Sequence, residues 1–252
     1  MRRSKKRQGC WWGLPLLSLL FITCLMAVIL PAIFTVNAQS CGGPTGDPCL
    51  GGSGGTSFSP GDSNYAPNCS PIVIDLSGDG FKLTNAQNGV QFDIAGNGHR
   101  NQIAWTAAGT QNAFLCLDRN GNGSIDSGKE LFGNFTDQPP SPEPNGFLAL
   151  AEFDKPENGG NGDGVIDQKD KMFSSLRLWI DANHDGVSQP SELFRLSDRG
   201  IFSISLHYKE ARKMDRFGNQ FRYRGDINIT SDTNSQVNRI AYDIFLTAVP
   251  RN

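Results

Sequence analysis

Asp181-Ala182-Asn183-His184-Asp185-Gly186-Val187-Ser188-Gln189-Pro190-Ser191-Glu192 follows the pattern D-x-N-x-D-G-x5-E, the spacing of an EF-hand calcium loop. Calcium takes about six to eight oxygen ligands, so carboxylates and amides at loop positions 1, 3 and 5 must converge on one point. Here those positions are Asp181, Asn183 and Asp185. Gly186 at position 6 allows the sharp turn, Val187 offers its backbone carbonyl, and Glu192 at position 12 can bind through both oxygens. His184 falls at position 4 and reads as solvent-facing.

Two near-copies lie upstream. Asp118-Arg-Asn120-Gly-Asn122-Gly-Ser124-Ile-Asp126 fills positions 1, 3, 5, 6, 7 and 9, with its closing acid, Glu130, one place late. Asn161-Gly-Asp163-Gly-Val165-Ile-Asp167-Gln-Lys-Asp170 fills positions 3 to 12. Its position 1 is Gly159, so an insertion is expected, with Asp154 or Glu157 folding back to the metal. Aspartate at position 12 is shorter than glutamate, which favours weaker binding or magnesium. Asp75-Leu-Ser77-Gly-Asp79-Gly80 and Asp93-Ile-Ala-Gly-Asn97-Gly98 carry only the first half of the pattern. For these two, plain turns built on Asx side chains compete with the metal reading.

The first 38 residues read as a signal peptide. Arg2, Arg3, Lys5, Lys6 and Arg7 precede an uncharged apolar run from Trp11 to Val36, with cleavage expected after Ala38. An uncleaved anchor is the alternative, because the run exceeds the ~20 apolar residues a span needs. Either way the body is exported, secreted or held at the cell surface, and it meets the membrane only through this segment if that is uncleaved.

Without the leader the chain has 18 basic and 25 acidic residues, a net charge of −7. Residues 75–192 carry −9 of this, and residues 193–252 carry +4. Acids recurring at loop spacing suit a cation site, and they argue against nucleic acid, which needs a dominant basic face. Cys41, Cys49, Cys69 and Cys116 remain after cleavage, in a compartment that permits disulfides. Cys41 and Cys49 are close in sequence, and Cys116 lies in an apolar run that suits a buried thiol. Four cysteines allow three pairings, and the sequence does not choose.

Residues 39–70 are rich in Gly, Pro and Ser and lack Lys and Arg, which predicts a disordered linker. The calcium-binding domain then spans 71–252, about the size for one core. Short strands are expected at 71–75, 81–83, 90–93, 102–106 and 113–117. Short helices are expected at 145–153, where Asn145 is the cap, at 169–176 and from Glu192 to Leu196. Strands follow at 202–208, 220–229 and 239–249, with Arg216-Phe-Gly-Asn219 as a hairpin turn. The fold class expected is α+β: short strands and helices around EF-hand-like loops, closed by an antiparallel section at 201–249.

The order of motifs carries a resemblance. Pro71-Ile-Val-Ile-Asp-Leu-Ser-Gly-Asp-Gly80 comes first, then Leu117-Asp-Arg-Asn-Gly-Asn-Gly to Glu130-Leu-Phe-Gly133, then Asn145-Gly-Phe147. Asn161-Gly-Asp-Gly-Val-Ile-Asp167 and Leu178-Trp-Ile-Asp181 to Glu192-Leu193 follow. This succession, over about residues 70–210, resembles the calcium-dependent self-processing module of iron-regulated RTX proteins and related secreted bacterial proteins. The resemblance implies a calcium-folded module. In self-processing members an Asp-Pro bond before this block is cut when calcium binds. Here the matching bond is Ser70-Pro71, and serine lacks the carboxyl that attacks its own carbonyl.

The expectation is therefore a non-enzymatic calcium-binding protein, with calcium as cofactor and a cell-surface or extracellular protein as partner. A self-processing module that has lost its cleavage aspartate is one alternative. A dockerin-like interaction module, which Asp170 at position 12 suggests, is the other. His99, His184 and His207 lie in unrelated contexts and form no nucleophile set.

Overall fold

The computed structural model describes residues 50–51, 66–230 and 236–249. The expected leader, and the linker expected at 39–49 and 52–65, lie outside the described residues, as do Cys41 and Cys49. Two short strands, β1 (Leu50–Gly51) and β2 (Ala66–Pro67), pair antiparallel. Cys69, just beyond them, is disulfide-bonded, and Cys116 is a free, buried thiol.

The expected α+β class is overturned: the domain is mostly β. The strands that follow are β3 (Ile72–Asp75), β4 (Val90–Phe92), β5 (Asn101–Ile103) and β6 (Asn112–Cys116). After the helix α1 (Gly146–Ala151) come β7 (Val165–Asp167), β8 (Arg177–Trp179), β9 (Leu193–Arg195) and β10 (Ile201–Ser205). The last three are β11 (Lys209–Met214), β12 (Gln220–Thr230) and β13 (Gln236–Phe245). Among the described residues nine of these form one sheet in the order β7-β10-β12-β13-β3-β6-β8-β9, with β11 also on β12, and β4 and β5 form a separate hairpin. Among the described residues every pairing between these strands is antiparallel.

The helices fall short for local reasons. Asn145 caps α1 as expected, its Oδ1 accepting from the backbone of Phe147 at 3.0 Å and Leu148 at 3.1 Å. The stretch at 169–176 yields only a 3-10 turn, Phe173–Ser175. The helix expected from Glu192 is a 3-10 turn at Pro190–Glu192, followed by β9. Leu193 there pairs with Trp179 across the loop, so tertiary pairing overrides a weak helical pattern.

The central strands read as unbroken apolar runs because both faces of the sheet are covered. Ile72 and Ile74 enter one core with Leu115, Leu178, Phe147 and Leu150. Val73 enters the other with Phe114, Trp179, Phe92, Ile103 and Trp105. The chain crosses itself tightly where β3 begins: a Cβ on Gly133 would lie 1.6 Å from the Ser70 carbonyl oxygen.

Candidate functional site

Three long loops and two shorter turns share one local construction. The aspartate that opens each accepts backbone N–H bonds on both carboxylate oxygens. Asp118 Oδ1 accepts from Gly121 at 2.7 Å and Asn122 at 3.2 Å, and Oδ2 accepts from Gly123 at 2.8 Å. Asp154 does the same with Gly162 at 3.0 Å, Asp163 at 3.2 Å and Gly164 at 2.9 Å. Asp181 accepts from Asp185 at 3.2 Å and Gly186 at 2.9 Å. Asp75 and Asp93 make the equivalent bonds, ending on Gly80 at 2.8 Å and Gly98 at 2.7 Å. In all five, positions 4 and 6 have positive φ, with His184 (φ 59°) as the one residue there that is not glycine.

The insertion resolves in favour of Asp154. It occupies the place of position 1 across the intervening residues and is buried, while Glu157 is exposed. Positions 3 and 5 also repeat. The side chains of Asn120, Asn161 and Asn183 accept from the backbone two residues on, at 2.9, 3.1 and 3.2 Å. Those of Asn122, Asp163 and Asp185 accept from Ser124, Val165 and Val187 at 2.8, 3.1 and 2.8 Å.

The closing acids fold inward. Glu130 Oε1 accepts from Arg119 N at 3.2 Å and Oε2 from Asp126 N at 2.9 Å. Glu192 accepts from Ala182 N at 2.9 Å and Gln189 N at 3.3 Å. The extra residue before Glu130 thus leaves its bonding pattern unchanged. Asp170 accepts from Asn161 N at 3.2 Å and Asp167 N at 2.8 Å. Burial pushes the carboxyl of Glu130 up from its ordinary pKa. Burial does the same at Asp181, with the Glu192 charge adding to it, while the Gly186 and Asp185 amides and the Trp105 indole pull the other way. Buried acids pushed in this direction are relieved by a nearby cation.

Among the described residues no three Asp, Glu, His or Cys side chains converge as a ready metal cluster. The donor set is of another kind: each loop offers a buried closing acid, an opening acid that is buried at Asp154 and Asp181 and half-buried at Asp118, side-chain amides or acids at positions 3 and 5, and a backbone carbonyl at position 7. Those are hard oxygen donors, the chemistry that calcium accepts and zinc does not require. The loops differ in what their acids already hold. Lys169 places Nζ 2.9 Å from Asp163 and 3.3 Å from Asp167. Ion pairs among the described residues do not reach Asp118, Asp126, Glu130, Asp181, Asp185 or Glu192.

The two shorter turns lack a closing acid, and basic side chains pack against them. A Cβ on Gly78 would lie 2.6 Å from the Arg239 guanidinium, and Lys82 pairs with Asp79. Over the other turn, a Cβ on Gly96 would lie 2.5 Å from Lys129 Cγ.

Residues 72–243 match the SPM domain family. The chain belongs to the SPM domain family. It is similar to the iron-regulated protein FrpA of Neisseria meningitidis serogroup C, 38% identical over 170 residues, covering 66% of this chain and 15% of that protein. The chain thus spans only a small part of the length of this curated relative.

Several SPM-domain residues that hold the loops are invisible to motif reading. Trp105 Nε1 donates to Asp181 Oδ2 at 2.8 Å, and Trp179 Nε1 donates to Glu192 Oε2 at 3.3 Å. Ser188 Oγ accepts from Ile125 N at 2.6 Å. His184 is half-buried rather than solvent-facing, its Nδ1 2.7 Å from the Thr106 carbonyl and its Nε2 2.8 Å from that of Asn88. At the Ser70–Pro71 bond, Ser70 is buried and donates its N–H to Asn134 Oδ1 at 2.8 Å.

Proposed function

We propose that this SPM domain is an exported, non-enzymatic calcium-binding module whose three loops couple calcium to folding. Ligands in the first loop are Asp118, Asn120, Asn122, Asp126, Glu130 and the Ser124 carbonyl. In the second they are Asp154, Asn161, Asp163, Asp167, Asp170 and the Val165 carbonyl. In the third they are Asp181, Asn183, Asp185, Glu192 and the Val187 carbonyl. The observation that supports this most is the repeated cradle, in which an opening and a closing acid are fixed by the loop's own amides and the closing acid is buried. Calcium supplies the positive charge that such paired carboxylates lack. Binding of this kind contributes directly to folding free energy, because one loop gathers the ligands only when folded. Extracellular modules commonly work at about 10⁻⁴ to 10⁻³ M calcium, in keeping with the expected export.

The test is a calorimetric calcium titration of the purified protein, with circular dichroism before and after chelation. Two or three saturable sites and a calcium-dependent gain of structure support the reading. No heat and an unchanged spectrum would reduce the loops to metal-free Asx turns.

The non-enzymatic part rests on Ser70. Its side chain carries no carboxyl to attack the Ser70–Pro71 carbonyl, so incubation in millimolar calcium leaves the chain intact. A calcium-dependent cut at that bond would overturn this part alone.

A further inference from the structure

Loops 118–130 and 181–192 are joined by one buried side-chain bond. Ile125 N donates to Ser188 Oγ at 2.6 Å, across 63 residues of sequence. Ile125 is 1% exposed and Ser188 6% exposed. Each occupies position 8 of its loop, and neither is a candidate ligand. In each loop the next residue, at position 9, donates its N–H to the closing acid: Asp126 to Glu130 at 2.9 Å and Gln189 to Glu192 at 3.3 Å. The bond therefore ties together the two backbone points that hold the two closing acids. The remaining loop is built otherwise. Its position 8, Ile166, lies in β7 and pairs with Ile204 of β10, a sheet strand with no loop of this kind.

We propose that loops 118–130 and 181–192 bind calcium as a coupled pair, with the Ser188 hydroxyl as the coupling element, and that loop 154–170 binds on its own. The inference rests on the calcium reading above. When Glu192 engages an ion, the Gln189 amide that holds it is fixed, and Ser188 with it. The Ile125 amide is then held where Asp126 N meets Glu130, so the second loop is organised before it is filled. Such coupling is reciprocal by thermodynamic necessity: each loop must raise the other's affinity by the same factor. One buried hydrogen bond carries roughly a 2- to 10-fold effect.

The test uses the full protein and two disabling substitutions, Glu130→Gln and Glu192→Gln. Calorimetry counts sites, and tryptophan emission reports loop 181–192 through Trp105 and Trp179. Expected is that Glu130→Gln weakens loop 181–192 by the same factor as Glu192→Gln weakens loop 118–130. Loop 154–170 keeps its affinity in both. Ser188→Ala should leave both sites binding but remove the cross-effect, and Ser188→Thr, which keeps the hydroxyl, should restore it. Independent sites in the wild-type protein, or full coupling in Ser188→Ala, would overturn the proposal while leaving the calcium reading intact. Absence of any calcium heat would overturn both.

Discussion

Trp105 donates its indole N–H to Asp181, 76 residues away, at 2.8 Å. Its ring lies 5.5 Å from that of Trp179, which holds the other end of the same loop through Glu192. Both rings belong to the aromatic core that includes Phe92 and Phe114. The loop 181–192 is thus seated on the core by its two end acids. Calcium at this loop should change tryptophan emission. Trp105→Phe, which removes the donor, should reduce that change and cost at least about 1 kcal/mol of stability. Calorimetric binding at this loop with unaltered wild-type emission would contradict this seating.

Asp154 holds three amides of the second loop, from Gly162, Asp163 and Gly164. Asp154→Ala should eliminate calcium binding at loop 154–170 and cost about 1.5 to 3 kcal/mol, the scale for hydrogen bonds to a charged group. Glu157 is exposed, and Glu157→Ala should change stability by no more than about 0.5 kcal/mol. Equal effects of the two substitutions on calcium affinity would show that the insertion closes through Glu157.

Lys169 neutralises part of the same loop. Its hydrogen bond holds the Asp163 carboxyl below its ordinary pKa, with Asn161 assisting. An entering divalent ion must displace or tolerate that ammonium. Lys169→Gln should tighten calcium at loop 154–170 by roughly 3- to 10-fold at low salt, and by less as salt screens the charge. Affinities at the other two loops should stay fixed. Unchanged or weaker binding in the variant would show that the ammonium does not compete.

The turns of the candidate site were legible from spacing, because the physics of a turn is local. Asp-x-x-Gly-x-Gly specifies where an acid meets amides and where φ turns positive; the runs opening at Asp75, Asp93 and Asp118 carry it in full, while the third loop has His184 in place of the first glycine and the second reaches the same geometry across an insertion after Asp154. The frame around the loops was not legible. Leu193-Phe-Arg195 is too short for periodicity to separate helix from strand, and it is a strand because Leu193 pairs with Trp179. β11 escaped notice because Lys209-Glu-Ala-Arg-Lys-Met214 is polar, and only its pairing on β12 makes it a strand. Trp105 and Ser188 reach the loops from distant sequence, a relation no local pattern carries.

Asp243 gives the domain a pH dependence separate from the loops. It lies on β13 with no exposed surface, and its Oδ2 accepts the first amide of α1, from Gly146, at 2.8 Å. Its Oδ1 has no hydrogen-bond partner; the neighbouring Ser70 hydroxyl instead donates to Asn134 at 3.3 Å. Burial pushes its pKa from 3.8 to about 7, against the pull of the Gly146 amide and the Arg222 charge. Between those two values the folded state holds more protons than the unfolded chain, so this group favours folding below pH 3.8 and loses that contribution as pH rises to about 7. At one pKa unit per ~1.36 kcal/mol, the loss is on the order of 4 kcal/mol. Asp243→Asn keeps the shape and removes the charge. Thermal melts from pH 4 to 8 should show the variant gaining on the wild-type protein as pH rises, with the gain complete near pH 8. Parallel pH profiles for the two proteins would mean that Asp243 titrates as an ordinary carboxylate.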